Sequence, residues 1–217
     1  MINQMRRNGL ILAGFAVAAI VLVMTTQWVT QDRIDSQQRS ELLRTLNALI
    51  PPQMHDNDLY ADCTLITNQE VLGSASPQPV YRSRLNGQGN ALALRTTAPD
   101  GYSGNIHMLV AIDTQGAVQG VRVLSHRETP GLGDKIELRR DDWILSFDGQ
   151  RVRGNPDPRW NVRRDGGMFD AFTGATITPR AVVNAVERTV RFATEQQSML
   201  FAAPANCQPS SEQEDTQ

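Results

Sequence analysis

The sequence has few cysteines, few histidines and almost no lysine. Cys63 and Cys207 are its two cysteines, and no CxxC pair or Cys/His cluster occurs among its 217 residues. Structural zinc and iron–sulfur sites need several such ligands at close spacing, so the sequence excludes those classes of metalloprotein. His55 and His107 stand at no metal-ligand spacing from a second ligand, and we interpret both as structural. We predict no metal site.

Lysine is almost absent, since Lys135 is the single one, and the arginines form no dense patch. The net charge is −2 at pH 7 and the pI is about 5.9. Proteins that bind nucleic acid through its phosphates concentrate basic charge on one surface. The composition therefore excludes nucleic acid as a partner, while 40% hydrophobic and 20% charged residues are typical of a folded domain.

One long segment without formal charge lies between Arg7 and Asp32. About 20 mostly apolar residues cross a bilayer, so we predict that residues 1–31 form a short cytoplasmic stub and a lipid-embedded transmembrane anchor. Arg6 and Arg7 favour a cytoplasmic N-terminus, which places the main domain in the periplasm, on the bacterial inner membrane. A cleaved signal peptide is the alternative, although no small-x-small cleavage site follows the apolar run.

The two cysteines leave two alternatives open. In an oxidising compartment Cys63 and Cys207 can form one long-range disulfide that ties the C-terminal tail to the start of the domain. Two free thiols are the other possibility, because sequence alone does not bring two sulfurs within bonding distance.

The chain beyond the anchor divides into three predicted regions. Residues 32–95 contain a juxtamembrane helix, ended by Pro51 and Pro52, and a connecting region of loops and turns. Residues 96–200 form the main domain. Residues 201–217 form a C-terminal tail whose last residues, SSEQEDTQ, are polar and predicted to be disordered.

Hydrophobic patterning within the main domain predicts an α+β fold. Apolar runs at residues 105–113 and 117–126 flank a short turn and predict two strands of a hairpin. The pattern over residues 134–147 predicts an amphipathic helix. Strands followed by helices without βαβ alternation indicate antiparallel strands with flanking helices.

Short hydroxyl side chains crowd the stretch DAFTGATITPR, residues 170–180. Thr178 and Pro179 are typical of an N-cap and a first turn, and the apolar spacing beyond them predicts a helix over residues 179–196. The free N–H groups and positive dipole end at such a helix start favour an anion, phosphate above all. Hydroxyls that only cap the helix are the alternative, since the stretch matches neither a Walker loop nor a Rossmann fingerprint.

Several motifs resemble those of one flavoprotein family. DAFTGAT, residues 170–176, resembles the flavinylation motif of FMN-binding domains, and HRETPGLGDKIE, residues 126–137, resembles the same family, as does GYSGNIHMLV, residues 101–110. Together with the anchor, residues 5–207 resemble the family of G subunits of the Rnf/Rsx ion-translocating electron-transport complex. A more distant likeness is to the C subunit of the sodium-pumping NADH:quinone reductase.

The resemblance implies that residues 96–200 are an FMN-binding domain with a covalent FMN. Thr176 is the implied acceptor, joined through a phosphoester by a magnesium-dependent FMN transferase that uses FAD, because a threonine hydroxyl is a weak nucleophile unaided. The other candidate site residues are Asp170, Thr173, Gly174, Ala175, Thr178, His126, Glu128, Thr129, Pro130, Gly131, Leu132 and Gly133. We expect HRETPGLG to lie against the FMN, with Glu128 and Thr129 as polar contacts and residues 130–133 as a close backbone approach. His126 is expected to donate a hydrogen bond to the FMN, with a surface or hydrogen-bonded loop histidine as the alternative.

The implied function is that of an electron carrier in a ferredoxin/NAD-linked membrane complex, with the other Rnf/Rsx subunits as partners. We assign no catalytic residue, because electron transfer through a flavin needs no acid–base pair or nucleophilic triad. The anchor has no intramembrane charge, so ion translocation is expected in other subunits. Two alternatives stay open: a membrane-anchored periplasmic FMN reductase domain of another complex, and a flavin-free assembly or binding protein.

Four further residues have two interpretations each. Arg163 and Arg164 precede the motif and are expected in an exposed turn, with screening of the phosphate charge as the alternative. Trp143 and Trp160 are expected in the core, since aromatic residues near apolar runs are usually buried, with a place beside the flavin as the alternative.

Overall fold

The computed structural model describes residues 2–207. Its helices are α1 (Ile2–Leu49), α2 (Gln69–Leu72), α3 (Ile177–Glu195) and α4 (Gln197–Ala202). Its strands are β1 (Cys63–Ile66), β2 (Gln78–Leu85), β3 (Gln88–Gly101), β4 (Gly104–Asp113) and β5 (Val118–Ser125). Short 3-10 turns occur at Pro52–Met54, Gly133–Ile136, Asp142–Phe147 and Arg163–Asp165. The predicted disordered end, SSEQEDTQ, lies outside the described residues.

Helix α1 contains the predicted membrane anchor. Its segment Gln4–Gln31 has a mean hydropathy of 2.4 and is long and apolar enough to cross a bilayer. The helix continues through the predicted juxtamembrane segment without a break and ends at Leu49, which is followed by Ile50 and Pro51. Proline disfavours helical geometry at the residue before it, so the predicted stop at the double proline is confirmed. The chain forms two compact units that divide after Arg44.

The second unit is built on an antiparallel sheet with strand order β1-β2-β3-β4-β5. Val80 pairs with Leu94, Leu94 with Val110 and Val110 with Val121, so one row of aliphatic side chains crosses four strands on one face. The predicted hairpin is therefore confirmed as β4 and β5. Helices beside an antiparallel sheet also confirm the predicted α+β class.

Helix α3 covers that apolar face of the sheet. Its buried residues Val182, Val186 and Val190 belong to the same core cluster as the strand residues. Between helix and sheet, the buried hydroxyl of Thr189 donates to Thr96 Oγ1 at 2.9 Å, so the polar pair is satisfied. An aromatic group extends the core beyond the sheet, and its members are Trp143, Phe147, Trp160, Phe169 and Phe172. The predicted core placement of the two tryptophans is confirmed.

The amphipathic helix predicted over residues 134–147 is wrong. Two 3-10 turns occupy this stretch, separated by a reversal in which the N–H groups of Arg140 and Asp141 both donate to the carbonyl of Glu137. The Asp141 carboxylate then accepts the N–H of Trp143 at 2.9 Å and starts the second turn. The apolar spacing indicated a helix wrongly because side chains on a 3-10 turn can reach the core as well as those on a helix. Trp143 and Phe147 are buried in the aromatic core in this way.

The predicted division between residues 95 and 96 needs correction, because it falls inside β3. The region predicted as connecting loops also contributes β1, α2 and β2 to the second unit. Strand β1 has only four residues, and it sits in a stretch rich in Asn, Asp and Ser. Its strand character comes from pairing with β2, a tertiary contact that local composition does not report.

Cys63 and Cys207 form a disulfide that joins β1 to the C-terminal segment across 144 residues. Neighbouring hydrogen bonds hold the same segment: Asn206 Oδ1 accepts the N–H of Leu65 at 2.7 Å, and the N–H of Asn206 donates to the carbonyl of Cys63 at 3.0 Å. The guanidinium of Arg84 reaches the carbonyl of Phe201 at 2.8 Å. Of the two alternatives for the cysteines, the structure has the disulfide.

Removing this disulfide with Cys63→Ser and Cys207→Ser together is expected to lower the free energy of unfolding by about 2–5 kcal/mol, because the cross-link restricts a long loop in the unfolded chain. Thermal unfolding of the detergent-solubilised protein with and without reductant measures the effect. Reductant should lower the Tm of the wild type and leave that of the double variant unchanged. Equal Tm values for the oxidised wild type and the variant would contradict the expectation.

Candidate functional site

A cavity of about 330 Å³ opens where three distant segments of the chain meet. The first segment is the turn between β3 and β4, the second is the loop after β5, and the third is the start of α3 with the residues before it. The lining residues are Tyr102, Glu128, Thr129, Leu132, Gly133, Gly174, Ala175, Thr176, Ile177 and Thr178. Its volume is within the range of small-molecule and cofactor sites.

The buried carboxylate of Glu128 links all three segments. Its Oε1 accepts the N–H of Ser103, in the β3–β4 turn, at 2.9 Å. Its Oε2 accepts a hydrogen bond from the hydroxyl of Thr178, in the first turn of α3. Glu128 and Thr178 are both buried, so each needs the other as a partner. Sequence reasoning placed Glu128 as a polar contact to a ligand, whereas the structure uses both of its oxygens to fix the cavity wall.

His126 fixes the backbone of Glu128 by a hydrogen bond. Its Nδ1 accepts the N–H of Glu128 at 2.9 Å, so Nε2 carries the ring proton and donates to Glu137 Oε1 at 2.6 Å. Glu137 also accepts a hydrogen bond from Arg139. This bond has the largest effect on the carboxyl, and together with the weaker effect of the bond from His126 it holds the pKa of Glu137 below its usual value. His126 lines a separate polar depression with Ser103 and not the cavity. The prediction that His126 donates to a ligand is not supported, because the protein already engages both ring nitrogens.

Gly133 packs closely against both Glu128 and Thr178. A Cβ on Gly133 would lie 2.8 Å from Glu128 Oε2 and 3.0 Å from Thr178 Oγ1, where no side chain fits. Asp134 fixes the turn before it by accepting the N–H of Gly131 at 2.7 Å. The predicted close backbone approach of this loop is present, but it is directed at Glu128 and Thr178.

The motif residues reach the cavity through a tight turn into α3. The N–H of Ala175 donates to the carbonyl of Phe172 at 3.1 Å, and Gly174 adopts φ +83°, a conformation that favours glycine. Helix α3 begins at Ile177, and the N-cap residue is Thr176, whose side chain makes no capping hydrogen bond. The hydroxyl of Thr176 is thus not used by the helix.

The N-cap predicted at Thr178 is wrong. The N-cap is Thr176, two residues earlier, and the side chain of Thr178 donates to Glu128 instead of capping the helix. Pro179 still fits, because the N–H groups of the first turn have no intrahelical partner and proline lacks that group. The predicted long helix itself is confirmed as Ile177–Glu195.

The structure brings together eight of the thirteen candidate site residues. Those that line the cavity are Glu128, Thr129, Leu132, Gly133, Gly174, Ala175, Thr176 and Thr178. Asp170 and Thr173 line a neighbouring surface depression with Trp143, whose indole N–H donates to the carbonyl of Asp170 at 2.9 Å. Pro130 and Gly131 are exposed loop residues that are not in the cavity wall.

Sequence reasoning missed two lining residues, Tyr102 and Ile177. Both belong to motifs described above, GYSGNIHMLV and DAFTGATITPR. Their role could have been predicted, because each is a large hydrophobic side chain at a position that a turn or helix start exposes. Arg163 and Arg164 lie in an exposed 3-10 turn, where Arg163 pairs with Asp170 at 3.0 Å. Neither arginine lines the cavity, which agrees with the expected exposed turn.

Comparison with known proteins gives the family. Residues 101–191 match the model of the FMN-binding domain, and residues 1–49 match that of the RnfG N-terminal region. The chain is 49% identical over 207 residues to the G subunit of the ion-translocating oxidoreductase complex of Vibrio atlanticus, covering 95% of this chain and 99% of that relative. It is 50% identical over 206 residues to the protein of the same name from Shewanella oneidensis, covering 95% and 97%. The chain belongs to the RnfG family.

The FMN-binding domain of this RnfG family member includes the whole cavity. All three lining segments fall between residues 101 and 191, the range that matches the domain model. The family resemblance seen in the sequence is thereby confirmed. The cavity also has the composition expected of a cofactor site, with apolar side chains and a few fixed polar groups.

The Glu128–Thr178 hydrogen bond generates a stability prediction. Thr178→Val should lower the free energy of unfolding by about 1–3 kcal/mol, because it leaves one buried carboxylate oxygen without its partner. Thr178→Ser keeps the hydroxyl and should lose clearly less. Urea unfolding of the two variants and the wild type measures the difference, and equal losses in both variants would show that the hydroxyl contributes nothing.

Proposed function

We propose that this chain is the covalently flavinylated electron carrier of an Rnf/Rsx ion-translocating oxidoreductase complex, with FMN joined by a phosphoester to Thr176 Oγ1. The observation that carries the proposal is the position of Thr176. It lines the cavity within a matched FMN-binding domain, and its hydroxyl makes no capping bond. The relatives are named as the G subunit of such a complex and match nearly the full chain, which supports the other subunits as partners.

The residues around Thr176 fit a phosphate. Helix α3 is 19 residues long and begins directly after Thr176, so its first backbone N–H groups and its positive dipole end lie beside the proposed ester. Gly174 and Ala175 contribute little side-chain bulk before it. The pair Arg163 and Asp170 lies outside the cavity, and the residues that line it include no Lys, Arg or His, so the helix start is the positive group that the cavity wall offers a phosphate.

Attachment requires a separate transferase. The phosphoester forms between Thr176 Oγ1 and the phosphorus of the FMN half of FAD, while the pyrophosphate bond of FAD breaks and AMP leaves. The hydroxyl proton must go to a base. Glu128 is the carboxylate that lines the cavity, and it already accepts bonds from Ser103 and Thr178. We therefore assign activation of the hydroxyl to the FAD-dependent, magnesium-requiring FMN transferase.

Bound FMN supplies the electron-transfer chemistry, and the protein binds and orients it. A phosphate link at Thr176 leaves the ring end of FMN free to contact the cavity wall. Alone the chain is an electron-transfer flavoprotein, and it has enzyme activity as one subunit of the translocase. Ion movement is assigned to other subunits, because Gln4–Gln31 contains no charged residue between Arg7 and its end.

The same proposal places the chain in the bacterial inner membrane with its main domain in the periplasm. Helix α1 supplies the uncleaved anchor, and Arg6 and Arg7 favour a cytoplasmic N-terminus. The Cys63–Cys207 disulfide supports an oxidising compartment, since such bonds are rare in the cytosol.

Thr176→Ala, produced in the native host, tests the attachment. Wild-type protein should gain the mass of one FMN less one water and give a fluorescent band after denaturing electrophoresis, and the variant should lose both. Thr176→Ser should keep some label, because serine retains an acceptor hydroxyl at the same position. Thr114→Ala is the matched control, since Thr114 lies in the β4–β5 turn at the opposite end of β4 from the cavity.

Intact mass and in-gel fluorescence separate the candidate functions. A dark wild-type band would favour a flavin-free assembly or binding protein. A label that persists in Thr176→Ala would place the FMN on another residue. Co-purification of the labelled chain with other Rnf/Rsx subunits distinguishes the proposed complex from a periplasmic reductase domain that serves a different complex.

Protease added to spheroplasts tests the orientation. The domain beyond α1 should be degraded without membrane permeabilisation, because the proposed topology places it outside the cytoplasmic membrane. A cytoplasmic marker protein should stay intact in the same sample. Protection of the domain until detergent is added would reverse the topology.

A further inference from the structure

Exposed apolar and aromatic side chains line the cavity together with its buried polar pair. Three large side chains that line the cavity remain substantially exposed: Tyr102 at 69%, Leu132 at 43% and Ile177 at 45%. Each belongs to a different one of the three segments that meet there. We call these three residues the apolar rim. Glu128 and Thr178, by contrast, are buried and bonded to each other.

Tyr102 is exposed although its backbone is held firmly. The N–H of the next residue, Ser103, donates to the Glu128 carboxylate, and Gly101 pairs with Gly104 across the turn. A Cβ on Gly101 would lie 2.2 Å from the carbonyl oxygen of Gly104, so this close pairing requires glycine at position 101. A fixed backbone therefore presents an aromatic ring at the cavity mouth, and the described residues give its hydroxyl no hydrogen-bond partner.

The other two rim residues come from the loop after β5 and from the start of α3. Leu132 extends toward the motif, since its Cδ2 is 3.7 Å from the position of a Cβ on Gly174. Ile177 is the first residue of α3 and directly follows Thr176. Large exposed apolar groups around one concave site indicate a ligand with an apolar part. A ring system joined at Thr176 would meet all three.

We propose that Tyr102 is the aromatic cover of the flavin ring, with Leu132 and Ile177 as the apolar surface that the ring contacts. This assignment rests on the proposed attachment of FMN at Thr176. Aromatic rings attract one another in offset or edge-to-face arrangements, and a tyrosine can stack while its hydroxyl stays in water. Tyr102 is thus a positioning residue, which sets the environment of the ring and limits its contact with solvent.

Flavin fluorescence tests the cover without an activity assay. A phenol ring in contact with an excited flavin donates an electron to it and quenches its emission, which returns when the protein is denatured. The full-length protein is purified from its native host in detergent. The measured quantities are the ratio of native to denatured emission and the quenching of native emission by iodide.

The wild type should show a native-to-denatured ratio well below unity and weak iodide quenching. Tyr102→Ala should raise both the ratio and the iodide quenching, because it removes the donor and the cover together. Tyr102→Phe should raise the ratio but keep iodide quenching near the wild-type level, because phenylalanine retains the ring and is a poorer electron donor. Tyr60→Phe, at a tyrosine outside the cavity wall, should leave both readouts unchanged.

The outcomes separate this inference from the proposed function. Denatured emission absent from the wild type would contradict the attachment itself. Denatured emission present in every protein, with wild-type ratio and iodide quenching in both Tyr102 variants, would overturn the cover alone. If Tyr102→Ala carries no flavin, Tyr102→Phe decides the matter, because a wild-type ratio in that variant would equally overturn the assignment.

Discussion

A single buried carboxylate holds together three segments that lie far apart in the chain. Glu128 accepts one bond from the β3–β4 turn, 25 residues away, and one from the start of α3, 50 residues away. Burying a carboxylate is costly unless its oxygens are bonded, so the turn and the helix are constrained to lie where they satisfy it. The cavity is the space left between the elements that this requirement brings together.

The remaining fold supports that contact from several sides. His126 and Glu137 fix the backbone at Glu128, and the absence of a side chain on Gly133 lets the loop reach the helix. Helix α3 is held on the sheet by its aliphatic face, so the position of Thr176 follows from core packing. Catalytic and cofactor groups are often placed in this way, on loops that a rigid scaffold positions.

Local patterns in the sequence predicted the hairpin, the anchor and α3, but failed for residues 134–147. A run of apolar side chains at helical spacing indicated a helix there, and the structure buries the same side chains from two 3-10 turns. The difference arises because burial in the aromatic cluster stabilises these side chains whether or not their backbone is helical. For β1 the prediction missed a strand that is present, since its four residues gain strand character only by pairing with β2.

Sequence alone determined the anchor, the α+β class, the family and the motif that contains Thr176, because bilayer thickness, strand alternation and short motifs are properties of neighbouring residues. Only the tertiary structure decided which residues surround that threonine. Tyr102 joins the cavity and Thr178 binds Glu128 through contacts with no fixed sequence spacing. The disulfide is the extreme case: its two cysteines are 144 residues apart, and only the paired sheet and the folded C-terminal segment bring their sulfurs together.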